Sequence, residues 1–312
     1  MALLGIDLGG TKLALGLFNN DGKLLHKETV AVSNKKGKEV GELIINSFLQ
    51  IKNSHTEEIN SVGISVPGIY HLKTGTVWAP NIQGWDDYPL YDEIKKASEK
   101  IPVTIDSDRA CYILGEAWQG NAKECKDAIF LAVGTGIGAG ILINGNVLRG
   151  SNDIAGAIGW MALDKTFKDE YISCGCFEHY ASGEGIAKTA IIFLKEMKNY
   201  AGELKNKTID DITSYDVFAA YENDDALAKK VIQSCIEFWG MAAANIVSLF
   251  NPEKIIFGGG VFGPAIKFLP AIMKEAMKWA QPISMQYVTI EPSALDTHAG
   301  LYGAAWIAKQ KL

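Results

Sequence analysis

The chain opens by alternating short apolar runs with glycine and asparagine turns. Residues 2–8 (ALLGIDL) and 13–18 (LALGLF) are apolar runs of strand length, separated by Gly9-Gly10-Thr11-Lys12. Asn19-Asn20-Asp21-Gly22 is a hairpin turn, and a third strand follows over roughly 23–32. The period then changes. Over residues 37–52, Val40, Leu43, Ile44, Phe48 and Ile51 fall on one face of a helix. Residues 60–70 read as a strand with a stop at Pro67-Gly68, and a further strand-like segment ends at Ala79-Pro80-Asn81. An amphipathic helix is expected over 89–100 and a strand over 102–106. Ser107-Asp108 then opens a helix that ends near Gly120.

The opening pattern recurs. Residues 128–133 (AIFLAV) are an apolar strand, Gly134-Thr135-Gly136-Ile137-Gly138 a glycine turn, 139–143 (AGILI) a second strand, and Asn144-Gly145-Asn146 a polar turn. Strand, Gly/Thr turn, strand and polar turn appear in the same order as in residues 2–22. Such a repeat implies two related α/β domains, each opening with a hairpin whose first turn is glycine-rich. A ligand between the two halves would meet both turns. The expected division is 1–117 and 118–312, with a last helix over about 298–312 packing back on the first domain.

At 312 residues the chain is long enough for about two domains. With 48% hydrophobic and 21% charged residues it has a globular composition, which excludes disorder, collagen-like structure and simple coiled coil. The net charge of −6 gives little counterion release on a polyanion, so nucleic-acid binding is not expected. Five cysteines, an odd number in a long chain, suggest no disulfide framework and fit a reducing compartment. The start MALLGIDLGG lacks the basic region of a signal peptide. The longest nearly apolar stretch, 128–143, is short for a membrane span and broken by four glycines. A cytoplasmic location without membrane partners is expected.

Five constellations could carry chemistry. In the first turn, the N–H groups of Gly9 and Gly10 and the Thr11 hydroxyl can cradle phosphate oxygens, and Asp7 at the strand end could hold Mg²⁺ through water. The alternative is an ordinary tight turn. The second turn, Gly134 to Gly138, fits no Rossmann or Walker A register and gains weight only as partner of the first. Gly258-Gly259-Gly260, after the strand Lys254–Phe257, would let a flat ring such as adenine approach the backbone; the alternative is a plain strand–loop transition. In Asp106-Ser107-Asp108, Asp108 sits where a strand hands over to a helix. It suits a general base taking a proton from a hydroxyl, and equally a residue of a helix cap. Cys174-Gly175-Cys176-Phe177-Glu178-His179 suggests zinc by type, but supplies too few ligands.

Taken together, these segments resemble the ROK family of sugar kinases and related repressors over essentially the whole chain. The resemblance is carried by Ile6–Lys12, Pro67-Gly68, Ala79-Pro80-Asn81, Asp108 with Leu114-Gly115-Glu116, Val133–Gly138, Gly175–Glu178 with Tyr180-Ala181-Ser182-Gly183, and Asn251-Pro252-Glu253 with Gly258–Gly260. It implies an α/β actin-like ATPase (RNase H-like) fold, two similar domains flanking a cleft, and a homodimer. It also implies ATP, Mg²⁺ and phosphoryl transfer to a sugar hydroxyl, usually O6. Asp108 matches the catalytic aspartate. Asn81, Glu178, Gly68 and Ser107 match sugar-side positions, with Ser107 standing where the family usually has asparagine. Gly9, Gly10, Thr11, Lys12, Gly134, Thr135, Gly136, Gly138, Gly258, Gly259 and Gly260 match the nucleotide side.

The chain also departs from the pattern. The family's Glu-Ile-Gly-His segment is here Ala157-Ile158-Gly159-Trp160, and Asp169 and Tyr171 stand where cysteines are expected. In the family that histidine ligates zinc, and the glutamate and histidine bind hydroxyls near the anomeric end. Zinc is therefore not expected here. The anomeric side is expected to be opened toward a C1 substituent, as on a β-glucoside, with Trp160 as an apolar plate bearing one N–H donor. The alternative is that Trp160 fills the space left by the metal. A repressor would need an N-terminal DNA-binding region, and with Asp7 at position seven of this sequence a repressor is not expected. The alternatives are a glucokinase or N-acetylmannosamine kinase acting on free sugar and, of another class, a non-catalytic sugar sensor.

Overall fold

A computed structural model describes residues 2–312. The first part of the chain runs β1 (Ala2–Leu8), β2 (Lys12–Phe18), β3 (Leu24–Ala31), α1 (Lys38–Ser54), β4 (Ile59–Val66), β5 (Ile69–His71), β6 (Thr76–Trp78), α2 (Leu90–Ser98), β7 (Val103–Ser107) and α3 (Asp108–Gln119). It continues with β8 (Ala128–Val133), β9 (Ile137–Ile143), β10 (Asn146–Val147), α4 (Cys176–Ala181), α5 (Gly183–Glu196), α6 (Ser214–Glu222) and α7 (Ala226–Phe250). The last elements are β11 (Lys254–Gly258), α8 (Leu269–Ala276), β12 (Thr289–Pro292) and α9 (Ala299–Lys309).

The two main sheets have one topology. The first has order β3-β2-β1-β4-β7 and the second β10-β9-β8-β11-β12, so each strand of one has a counterpart in the other. In the first, β1 pairs antiparallel with β2 and parallel with β4, and β4 pairs parallel with β7. In the second, β11 pairs parallel with both β8 and β12. Hairpins supply the antiparallel strands, and helical crossovers return the parallel ones.

Alternation along β1 builds two layers. Leu4, Ile6 and Leu8 face a core that includes Ile44, Phe48 and Ile51 of α1 and Leu90 and Ile94 of α2. Leu3 faces the other way, into a cluster with Phe18, Trp118, Leu301 and Ala305. Each large aliphatic or aromatic side chain fully buried here contributes about 2–3 kcal/mol by removal from water. The second cluster exists because α9 returns to the sheet and packs on β1, β4 and α3. Glycine permits the approach: a Cβ on Gly63 would lie 1.8 Å from the Ala304 carbonyl oxygen, and one on Gly303 1.8 Å from that of Cys111. Asp7 shares the α9 side of β1, so this packing also fixes its surroundings.

In place of a single boundary near 118, the chain divides into two compact units, each using separate segments. One comprises 1–126, 140–156 and 293–312, the other 127–139 and 157–292. The chain crosses between units within β9 and again before α9. The stop read at Pro67-Gly68 separates β4 from β5, where Gly68 has φ 96°. One element reading changes. The strand expected to start at 139 starts at Ile137.

Candidate functional site

In the first unit, the β1–β2 turn is closed by the Gly9 N–H donating to the Lys12 carbonyl oxygen (2.9 Å), and it leaves Gly10 and Thr11 exposed. Asp7, at the end of β1, is half-buried. A Cβ on Gly300, in the first turn of α9, would lie 2.7 Å from both Asp7 carboxylate oxygens, so the carboxylate lies against the start of that helix. Burial pushes its pKa up, and the neighbouring Ser65 hydroxyl and Lys12 ammonium act against that rise. Asp7, Gly9 and Lys12 border a small pocket with Lys27, Thr29 and His298.

The strand-to-helix corner of β7 and α3 carries two carboxylates in opposite situations. Ser107 caps α3, its hydroxyl accepting from the Ala110 N–H (3.3 Å). The cap sets the two aspartates apart. Asp106 is buried and fully engaged: Arg149 grips it with both guanidinium nitrogens, Nη1 to Oδ1 at 2.7 Å and Nη2 to Oδ2 closer still. Asp108 has no such partner. Its Oδ1 accepts from the Arg109 N–H (2.8 Å) and its Oδ2 from the Tyr112 hydroxyl at a long 3.4 Å. Burial pushes the Asp108 carboxyl up to about 6, against the pull of the Arg109 charge and N–H. A half-buried carboxylate with a pKa near neutrality and one oxygen weakly held can take up a proton at neutral pH.

Two further positions expected on the sugar side lie in the same unit. Gly68 shapes the β4–β5 turn; a Cβ there would meet the Trp78 carbonyl oxygen at 2.2 Å, so only glycine fits. Its carbonyl oxygen accepts from Arg109 Nη2 (3.4 Å), which joins the turn to the Asp108 corner. Asn81 is exposed on a loop held from below. Trp85 is buried there, stacks on Tyr88 at 4.5 Å and donates its indole N–H to the Gly37 carbonyl oxygen (2.9 Å).

In the second unit, the β8–β9 turn is tied to the start of α5, where the Gly183 N–H donates to the Gly134 carbonyl oxygen (2.8 Å). Ser182 caps that helix. Around the turn is a cavity of about 530 Å³, bordered by Gly134 and Thr135, by Tyr215 and Phe218 near α6, and by Gly260 and Val261. Its size suits a nucleoside. Glu178 reaches the same turn: its Oε2 accepts from the Ile137 N–H at 2.6 Å, and burial pushes its pKa up against that bond. Its Oε1 accepts no hydrogen bond among the described residues.

The turn glycines are of two kinds. A Cβ on Gly136 would meet the Glu178 carboxylate at 2.7 Å, and one on Gly258 would meet the Phe130 ring at 2.3 Å. Gly259 has φ 89° and would meet the Val133 carbonyl oxygen at 2.4 Å. Gly259 is required by backbone and φ, while Gly136 and Gly258 are favoured by the side chains packed against them. Gly10, Gly134 and Gly260 differ: none has a positive φ, and a Cβ on any of them would have nothing within 4 Å. Neither conformation nor a neighbour asks for glycine there. The residues thus fit a ligand such as a nucleotide phosphate or base that comes close to the backbone. Gly138 lies within β9.

The segment around Trp160 is built without a gathered set of metal ligands. Trp160 is 57% exposed, so it does not fill an interior space. Tyr171 is buried; its hydroxyl meets that of Tyr180 (2.8 Å) and donates to Asp164 (3.2 Å), while Lys168 donates to the Tyr180 hydroxyl (2.5 Å). The His179 ring packs edge-on against both tyrosines, and burial lowers its pKa. Cys174 directs its thiol at the Glu170 carbonyl oxygen (3.9 Å), and Cys176 is buried. All five cysteines are free.

Several residues of the site escaped the sequence reading. Arg149 lies 43 positions from Asp106 and nothing local marks it. Tyr112 stands one turn beyond Asp108, a spacing that a search for partners along α3 would have found. Gly300, Lys27 and His298 reach Asp7 or its pocket only through the return of α9 and the pairing of β3.

A family model described as "ROK family" matches residues 3–311. The glucokinase of Halalkalibacterium halodurans is 31% identical, over 99% of this chain and 95% of that protein. The beta-glucoside kinase of Listeria monocytogenes is 26% identical, over 98% of this chain and 97% of that protein. Among solved structures, a ROK family glucokinase from Streptomyces griseus in complex with glucose and AMPPNP matches with a TM-score of 0.81 at 27% identity, over 99% of this chain and 100% of that chain. The fold is the actin-like ATPase fold of these kinases.

Proposed function

Because the chain belongs to the ROK family, we propose that it is an ATP-dependent sugar kinase that phosphorylates a hexose-type hydroxyl, with O6 as the acceptor. The observation that carries this is the Asp108 carboxylate, lightly held and with its pKa pushed up to about 6. Asp108 takes the proton from the sugar hydroxyl as that oxygen bonds to the γ-phosphorus. The bond from phosphorus to the β–γ bridging oxygen breaks, and its electron pair leaves with ADP. The N–H groups of Gly9 and Gly10 and the Thr11 hydroxyl hold phosphate oxygens, as do the backbone of Gly134 and the Thr135 side chain. The cavity beside Gly260 takes the nucleoside. Asp7 would hold Mg²⁺ through water, Lys12 would meet the phosphates, and the ion, when bound, would screen the charge of the transferring group. Asn81, Gly68, Ser107 and Glu178 belong to the sugar side.

The acceptor carries a C1 substituent, as in a β-glucoside. Ala157 brings no charge to the anomeric side, and the exposure of Trp160 speaks against its being a space-filler. The Tyr171–Tyr180–Asp164–Lys168 network supports a segment held without zinc. A homodimer in the cytoplasm completes the reading. No described helix is long and apolar enough to cross a membrane. ADP release measured over free hexoses, N-acetylhexosamines and β-glucosides tests the whole. Turnover fastest on β-glucosides is expected. Fast turnover on free glucose alone would remove the C1 proposal, and no turnover on any sugar would replace the kinase with a sensor.

A further inference from the structure

We propose that His26, Glu28 and His55 form a binding site for one divalent transition-metal ion of the Zn²⁺ type, separate from the phosphate and sugar residues. Strand β3 is an edge strand whose burial alternates, which puts His26 and Glu28 on the same half-buried face. His55 comes from elsewhere in the sequence. It is the C-cap of α1, fixed by its N–H donating to the Ile51 carbonyl oxygen (3.2 Å). Two of the chain's five histidines thereby meet, with ring centroids 4.2 Å apart.

The donor set has metal chemistry. One ligand atom from each residue lies within 4.8 Å of the other two. A tetrahedral ion with bonds of about 2.0–2.1 Å needs ligand atoms about 3.4 Å apart, which modest side-chain rotation supplies. His26 Nε2 and Glu28 Oε1 are already 3.0 Å apart, and the ion would take the place of the proton they share. The His55 ring makes no hydrogen bond among the described residues, so its nitrogens are not committed elsewhere. Two imidazoles and one carboxylate leave the fourth position to water. All three residues are partly exposed, so the ion can enter from solvent. Occupancy would tie the free edge of the first sheet to the end of α1. The opposite face of β3 carries Lys27 and Thr29, which border the pocket of Asp7.

Titration calorimetry of the full chain with Zn²⁺ alone, without nucleotide, tests the site, with Co²⁺ as optical probe. One equivalent is expected to bind, and the Co²⁺ complex to show visible d–d bands without thiolate charge transfer. H26Q/H55Q should weaken binding by more than about tenfold, while C174S/C176S leaves it unchanged. Zn²⁺ should raise the melting temperature of the wild type and not that of H26Q/H55Q, whose cooperative melting without metal reports an intact fold. The proposal falls if the wild type binds no Zn²⁺, if H26Q/H55Q binds as tightly as the wild type, or if binding disappears in C174S/C176S.

Discussion

The corner at 106–109 and the segment at 157–180 handle polar groups in contrasting ways. At the corner, two carboxylates two residues apart are treated unequally: Asp106 is buried and neutralised by Arg149, whereas Asp108 keeps its charge costly and its pKa near 6. In the 157–180 segment, Tyr171, Tyr180, Asp164 and Lys168 satisfy one another in one network, and Trp160 is left facing solvent. An incompletely satisfied group is what proton transfer needs, and a satisfied network is what holds a loop. The contrast separates a carboxylate left incompletely satisfied from a tyrosine network whose members satisfy one another.

Four substitutions and one rescue sharpen or break that contrast. The largest change is expected from Arg149→Met, which leaves the Asp106 charge buried and alone. Its cost should be roughly 3 kcal/mol, at the low end for a buried pair because Arg149 is partly exposed. Denaturant unfolding checks it, and adding Asp106→Asn should recover much of the loss. Next comes a glycine pair. Gly259→Ala should destabilise by about 1–3 kcal/mol, since φ is positive and the Val133 carbonyl oxygen is in the way. Gly134→Ala should leave stability within about 0.5 kcal/mol yet raise the KM for ATP, because its new methyl enters space that the protein itself does not fill. Equal effects of the two on stability would erase the distinction between packing and ligand glycines. The smallest stability change belongs to Trp160→Ala, within about 0.5 kcal/mol for so exposed a side chain. That variant should alter the ranking of C1-substituted acceptors in the ADP-release assay. An unchanged ranking would return Trp160 to the role of an ordinary surface residue.

Much of this was legible in the sequence because it is local. The hairpin turns, the face of α1 and the handover from β7 to α3 are written in patterns a few residues long. The duplicated topology was legible because both copies keep the strand–glycine turn–strand order. What escaped is non-local. No periodicity announces that Arg149 will meet Asp106, 43 positions away. The inclusion of 140–156 with the first unit has no local signal either, because the chain crosses between units inside a single strand, β9. Ser107 shows a further limit. The cap of α3 falls on Ser107, while the cap alternative in the sequence was weighed for Asp108, and residue type alone does not choose between neighbouring Ser and Asp.

The central claim is that Asp108 is the base, and the pH dependence of turnover tests it most directly. Below its pKa the carboxyl is protonated and cannot accept the hydroxyl proton. At saturating ATP, kcat/KM for the sugar should therefore fall toward acid with a midpoint near about 6. The stability signature has the matching sign. A carboxyl whose folded pKa is raised favours the fold in its neutral form, and this contribution is lost as pH rises through about 6. Asp108→Asn should accordingly turn over roughly 10²–10⁴-fold more slowly, lose the acid limb, still bind ATP, and melt above the wild type at neutral pH. An acid limb that persists in Asp108→Asn, or a near-normal rate in that variant, would contradict the account.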